Sequence, residues 1–293
     1  MSFAFDLYVG IDWTGAQPAK AVAVAVVGPD RIVHPIAPAG RYWGRAEAAE
    51  WVAARVREGK RVLAGIDCGF GMPWVPDVGY LDGRVPHVTD MPALWDLVED
   101  ASGDAPDDFA GLAVTDPRLA PSYWAKGPRP AMWGDGSTKR RRTELAAAAT
   151  GAGTPVSLFN LAAAAKQVGK ASLAGMRTLR RLKGLLGDQI AVWPAENPAG
   201  RSVVLEIYPT LFRIQALGRT LKITDLAVLE RALAPYGCRA APSLPERLDD
   251  HTGDAMISAA GLSVLAGKAS AWAPSGLDPD TARREGWIFG VGA

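Results

Sequence analysis

Hydrophobic positions fall into short, distinct patterns along this chain. Leu7–Asp12 contains the apolar run YVGID, and the run AKAVAVAVVG after it alternates small and branched apolar residues, so both predict strands, with a third over IVHPIAP. From Arg45 the period changes. RAEAAEWVAARVREG places Ala49, Val52, Ala53 and Val56 at helical spacing, with charges opposite and Gly59 as a stop. RVLAGID then reads as a strand covered on both faces. DQIAVWPAE and SVVLEIYP predict two further strands joined as a hairpin through NPAGR. Helices are expected from about Leu226 to Leu233 and from about Asp250 to Ala266, the latter closing the fold.

Between Gly69 and about Ser137 this regularity gives way to scattered prolines and aromatics, which predicts a long irregular insertion. The Ala- and Leu-rich stretches RRRTELAAAAT and SLFNLAAAAKQVGKASLAGMRTLRRLKGLL, which follow, predict helices. The expected organisation is a single domain over 1–293 with a Pro-rich and helical insertion at 70–200. The fold class is α/β, a mixed sheet flanked by helices.

Composition narrows the function classes. Lys+Arg 32 against Asp+Glu 31 leaves a formal charge of +1, so no overall field draws the chain to a polyanion or an anionic membrane. The longest apolar run, AVAVAVV, is too short to span a bilayer, and the N-terminal residues carry no basic leader, so a cytoplasmic location without membrane association is expected. Cys68 and Cys238 lack CxxC spacing or a His cluster, which argues against zinc.

Four acidic residues break the apolar pattern: Asp12 and Asp67 end strands, Glu206 interrupts VVLEIYP, and Asp254 opens an apolar helix. A carboxylate beside buried strands must be desolvated and therefore needs a partner. Three have a plainer reading, as a turn residue for Asp12 and Asp67 and as a helix-start residue for Asp254, and Glu206, apolar on both sides, would need an edge strand or the Tyr208 turn to expose it to water. Together they predict a shared Mg²⁺ or Mn²⁺ site, since hard cations take oxygen ligands. Asp250, spaced i, i+4 from Asp254, is a candidate additional ligand, whereas His251 is expected to point elsewhere.

Clustered early strands, then alternating strands and helices, with carboxylates on the first strand, the fourth strand and the last helix, make a ribonuclease H-like layout. The segments VGIDWTGA, GIDCGFGMPW, RRRTE, LEIYPTLF, GDAMISAAG and EGWIFG, from Tyr8 to Phe289, together resemble the predicted RNase H-like nuclease family catalogued as domain-of-unknown-function family 429. The resemblance implies a metal-dependent nuclease. Under it Asp12, Asp67, Glu206 and Asp254 are the catalytic carboxylates. Arg141 and Arg142, in the segment matching the family's RRTE, face the site to hold phosphate. Lys166 and Gln167, polar after AAAA, are further candidates to face the cleft, while RTLRRLKG is read as a solvated helix face.

The partner is expected to be nucleic acid or a phosphorylated small molecule. Exposed tryptophans among Trp74, Trp95, Trp124 and Trp133 could stack bases, while Trp51, Trp193 and Trp287 are assigned to the core. Two other readings fit the same layout. VGIDWTGA and AGIDCGFG could be the two phosphate loops of an actin-like or sugar-kinase-type ATP-dependent phosphotransferase, or the fold could serve as a non-catalytic binding protein that contacts a partner through the insertion.

Overall fold

The structure is a computed structural model that describes residues 3–161 and 168–293. In chain order it forms β1 (Leu7–Asp12), β2 (Ala23–Val27), β3 (Ile32–Ile36), α1 (Arg45–Arg57), β4 (Val62–Ile66), α2 (Met91–Ser102), α3 (Arg142–Ala149) and α4 (Val168–Leu186). There follow β5 (Ile190–Val192), β6 (Ser202–Glu206), α5 (Pro209–Leu217), α6 (Leu226–Leu233), β7 (Arg239–Ala240), α7 (Asp250–Leu265), α8 (Ala269–Trp272) and α9 (Pro279–Arg284).

The strands make one mixed sheet in the order β5-β6-β4-β1-β2-β3-β7. β2 runs antiparallel to both of its neighbours, β1 and β3, whereas β4 runs parallel to β1 and β6 parallel to β4. Asp12 and Asp67 thereby follow the paired residues Ile11 and Ile66, at the same end of adjacent parallel strands.

Side chains alternate across a strand, so each strand feeds two cores. Val9 and Ile11 of β1 and Val62, Ala64 and Ile66 of β4 join one core, which includes Val52 of α1, Leu94 of α2 and Leu173 of α4. Leu63 of β4 and Val203 and Leu205 of β6 join the other, with Phe212 of α5, Leu229 of α6 and Ala259 of α7. Helix α7 lies almost directly on β1. A Cβ added to Gly10 would stand 2.2 Å from the Ala255 carbonyl oxygen, so only glycine permits this approach.

Four expectations are corrected. First, β5 and β6 pair in parallel, not as a hairpin. The Glu196 N–H donates to the Val192 carbonyl at 2.9 Å, turning the chain off the end of β5, and residues 193–201 carry it back before β6 begins. Second, the insertion contains a regular helix. Asp90 caps α2 by accepting from the Ala93 N–H at 3.0 Å, with Pro92 in the first turn. Third, Ser157–Leu161 is not helical: the Trp124 N–H donates to the Phe159 carbonyl and the Leu161 N–H to the Trp124 carbonyl, both at 2.8 Å. Fourth, α7 does not end the chain's structure. Beyond α9 the Phe289 N–H bonds the Glu206 carbonyl at 2.9 Å, laying the C-terminal segment against the end of β6. Among the described residues no helix is long and apolar enough to cross a membrane.

Candidate functional site

Strand alternation decides which carboxylates can meet. Glu206 is in register with Ile66, whereas Asp67 follows Ile66 by one residue. Asp12 and Asp67 therefore turn toward the α7 face, and Glu206 turns toward the α1 and α4 face.

On the α7 face, Asp12 is buried and its Oδ2 lies 2.7 Å from His251 Nδ1. Burial lifts the Asp12 carboxyl to about 6, against the opposing pull of the His251 hydrogen bond, and Asp254 adds to the rise. His251 is correspondingly raised, first by its bond to Asp12 and against its own partial burial. His251 thus points at the site, which corrects the expectation that it faces elsewhere; its i, i+3 spacing from Asp254 on one helix face was the available signal.

Asp254 is buried and already neutralised: Arg213 Nη1 donates to Oδ1, and Lys222 Nζ donates to Oδ2 at 2.7 Å. Lys222 also sits 3.3 Å from Asp250. Although partial burial works the other way, Lys222 and His251 hold the half-exposed Asp250 below the usual carboxylate range.

Asp67 is the exception. No hydrogen bond or ion pair to its carboxylate is found among the described residues, although its backbone N–H continues the ladder to Ile11 at 3.0 Å. Burial, then the charges of Asp12, Asp254 and Glu206, push its carboxyl well above the ordinary range, with Arg213 a weaker opposing influence. Four carboxylates therefore share one electrostatic neighbourhood, and among the described residues Asp67 has no direct cationic partner.

On the other face the chemistry is closed. Arg141 is fully buried and grips Glu206 bidentately, Nη2 to Oε1 at 2.6 Å and Nη1 to Oε2 at 2.7 Å, while its Nε donates to Glu144 at 2.9 Å. The Phe70 N–H gives Glu206 a further bond at 3.2 Å. Burial raises Glu144 to about 7 even beside Arg141. Glu285 completes the arrangement, accepting from the backbone N–H groups of Trp74 and Arg142 at 2.7 Å each.

The predicted phosphate grips are placed differently from expectation. Arg141 lines the cleft but is taken up by two carboxylates. Arg142 lies at the surface, 54% exposed, in an ion pair with Asp278. Lys166 and Gln167 lie outside the described residues. Arg177, expected on a solvated face, is instead buried and binds Glu99 at 2.8 Å and the carbonyls of Ala105 and Phe109 at 3.0 and 2.6 Å, tying the insertion to α4. Trp95 and Trp133 are core residues, so neither offers an exposed stacking face. Cys68 is buried, and burial followed by Glu206 and Asp67 raises its thiol far from the nucleophilic range.

A cleft of about 760 Å³ opens where the turns after β1 and β4 meet. Asp67, Glu206 and Arg141 lie on its lining, together with Trp13, Phe109 and Lys170. Arg45, fully buried at the start of α1, fixes this rim: Nη1 donates to the Thr14 and Ala16 carbonyls at 2.9 Å each, and Nε to the Asp107 carbonyl at 2.8 Å. Sequence reading passed over Arg45 because an arginine in a charged helix start looks solvated.

No protein-family model, curated protein or solved structure matches the chain significantly.

Proposed function

We propose that the protein is a divalent-metal-dependent phosphoester hydrolase of ribonuclease H-like fold, with nuclease action as the expected form. Three observations support the fold: an antiparallel β3-β2-β1 half, a parallel β4 and β6 half, and acidic residues where β1 and β4 end. The observation that carries the function is Asp67, a desolvated carboxylate beside three others, without a cationic partner among the described residues.

The donor set fits a metal in a reduced form. Among the described residues no group of three His, Cys, Asp or Glu is arranged as a ready cage, and Glu206 and Asp254 already hold strong cationic partners. Asp12 and Asp67 remain. Two carboxylates with substrate phosphate and water match the habit of Mg²⁺, which rarely takes an all-protein shell. When bound, the ion would supply charge for the developing negative oxygens and lower the pKa of an attacking water. His251 orients Asp12 and holds a proton at Nδ1, and Arg141 keeps Glu206 from adding another uncompensated charge.

Hydrolysis of an activated phosphodiester in Mn²⁺ tests this reading. Asp67→Asn and Asp12→Asn should each lose activity while remaining folded. Normal turnover by either variant would contradict it. The turns after β1 and β4 lining one cleft also suit the phosphotransferase reading; Mg-ATP-dependent phosphorylation of an added alcohol, without phosphodiester cleavage, would favour that reading.

A further inference from the structure

With Arg141 and Arg142 both committed elsewhere, the cleft needs another cation to receive an anion. Lys170 in the first described turn of α4 lies on the cleft lining and is half-buried. No ion pair or side-chain hydrogen bond of Lys170 is found among the described residues, in contrast to the paired Lys139, Lys183 and Lys222. Its position is fixed by close backbone packing. A Cβ added to Gly15 would lie 2.3 Å from the Lys170 carbonyl carbon, so the turn after β1 presses against this part of α4.

The surroundings define the size and character of the ligand. Trp13, Phe109, Leu158 and Tyr208 supply apolar and aromatic wall, and Thr14 and Gln17 add polar groups at the rim. Arg45 holds the turn after β1 and the segment at Asp107 to each other through three carbonyls, so two walls are set before any ligand arrives. A volume of about 760 Å³ falls within the roughly 300–1,000 Å³ of small-molecule sites. A volume of that size matches a mononucleotide far better than a duplex, and the formal charge of +1 gives no overall field to draw in a polyanion.

We propose that Lys170 is the phosphate-binding cation of this cleft and that its ligand is a single phosphate ester of mononucleotide size, its flat or apolar body lying against Trp13 and Phe109. The inference rests on the phosphoester reading only for what becomes of the phosphate; binding itself stands apart from turnover.

The test is calorimetric titration of the full chain in EDTA with AMP, with adenosine and with a duplex DNA. AMP should bind saturably, adenosine about tenfold or more weakly because it lacks the charge-assisted phosphate contact, and the duplex without measurable heat because the cleft is too small for it. Lys170→Met should weaken AMP about tenfold or more and Lys170→Arg should restore most of the loss, with Lys170→Gln as a second neutral variant if Lys170→Met unfolds. No AMP binding by the wild type, unchanged affinity in the neutral variants, or duplex binding that needs Lys170 would each overturn the proposal. Lys170-dependent AMP binding in a protein that hydrolyses no phosphoester in Mn²⁺ would instead remove the hydrolase reading and leave the ligand site in place.

Discussion

The two faces of the sheet handle buried acid in opposite ways. On the α1 and α4 side, Glu206 and Glu144 share Arg141, and the guanidinium uses its fork geometry on both. On the α7 side, Asp254 has two cations and Asp12 has an imidazole, but Asp67 stands between them with none among the described residues. The closed side anchors the C-terminal segment and the insertion to the strand ends; the open side keeps a charge deficit that a cation can fill.

Removing the central partner on the closed side should have the largest effect. Arg141→Met leaves Glu206 and Glu144 buried without their counter-ion, and a loss of about 3–5 kcal/mol in urea denaturation is expected. A loss below about 1 kcal/mol would mean that water already solvates these groups and that the closed side is not closed.

The open side should respond with the opposite sign. Asp67→Asn removes a charge that folding opposes, so stability should rise by about 0.5–2 kcal/mol as function is lost. The pH dependence follows from the direction of the shift. The folded-state value of Asp67 lies above its unfolded value, so between the two the folded chain holds the extra proton and stability falls as pH rises. The advantage of Asp67→Asn over wild type should thus be smallest near pH 4, the ordinary carboxylate range, and should widen as pH increases. An advantage that shrinks with rising pH would show Asp67 to be favourably paired. Asp12, lifted to about 6, contributes in the same direction over its own window, tempered by His251.

The smallest effect is expected at the surface. Arg142→Ala breaks only the exposed pair with Asp278, and both stability and turnover should stay within about 0.5 kcal/mol of wild type. A strong loss of turnover would restore Arg142 as a substrate contact.

Much of the scaffold was legible because its signals are local. The apolar run YVGID and the periodicity of RAEAAEWVAARVREG correspond to β1 and α1, and the apolar helix from Asp250 is α7. What was not legible depends on pairing between distant segments. The face of Glu206 relative to Asp67 follows from the β4 and β6 register, which no single strand encodes. Arg141 reads as one of four consecutive cations until the fold brings Glu206 to it, sixty-five positions away. The parallel pairing of β5 with β6 was hidden because NPAGR looks like a reversal, whereas the chain turns earlier, at Val192–Glu196. His251 could have been placed from its i, i+3 relation to Asp254, so that omission was one of reading and not of information.

The central claim is that Asp67, without a direct cationic partner among the described residues, serves a divalent cation, and calorimetric titration of Mn²⁺ into the wild-type chain and Asp67→Asn tests it most directly. Saturable binding in the wild type that disappears in Asp67→Asn is the predicted result. Absence of binding in the wild type, or equal binding in both, would contradict the account.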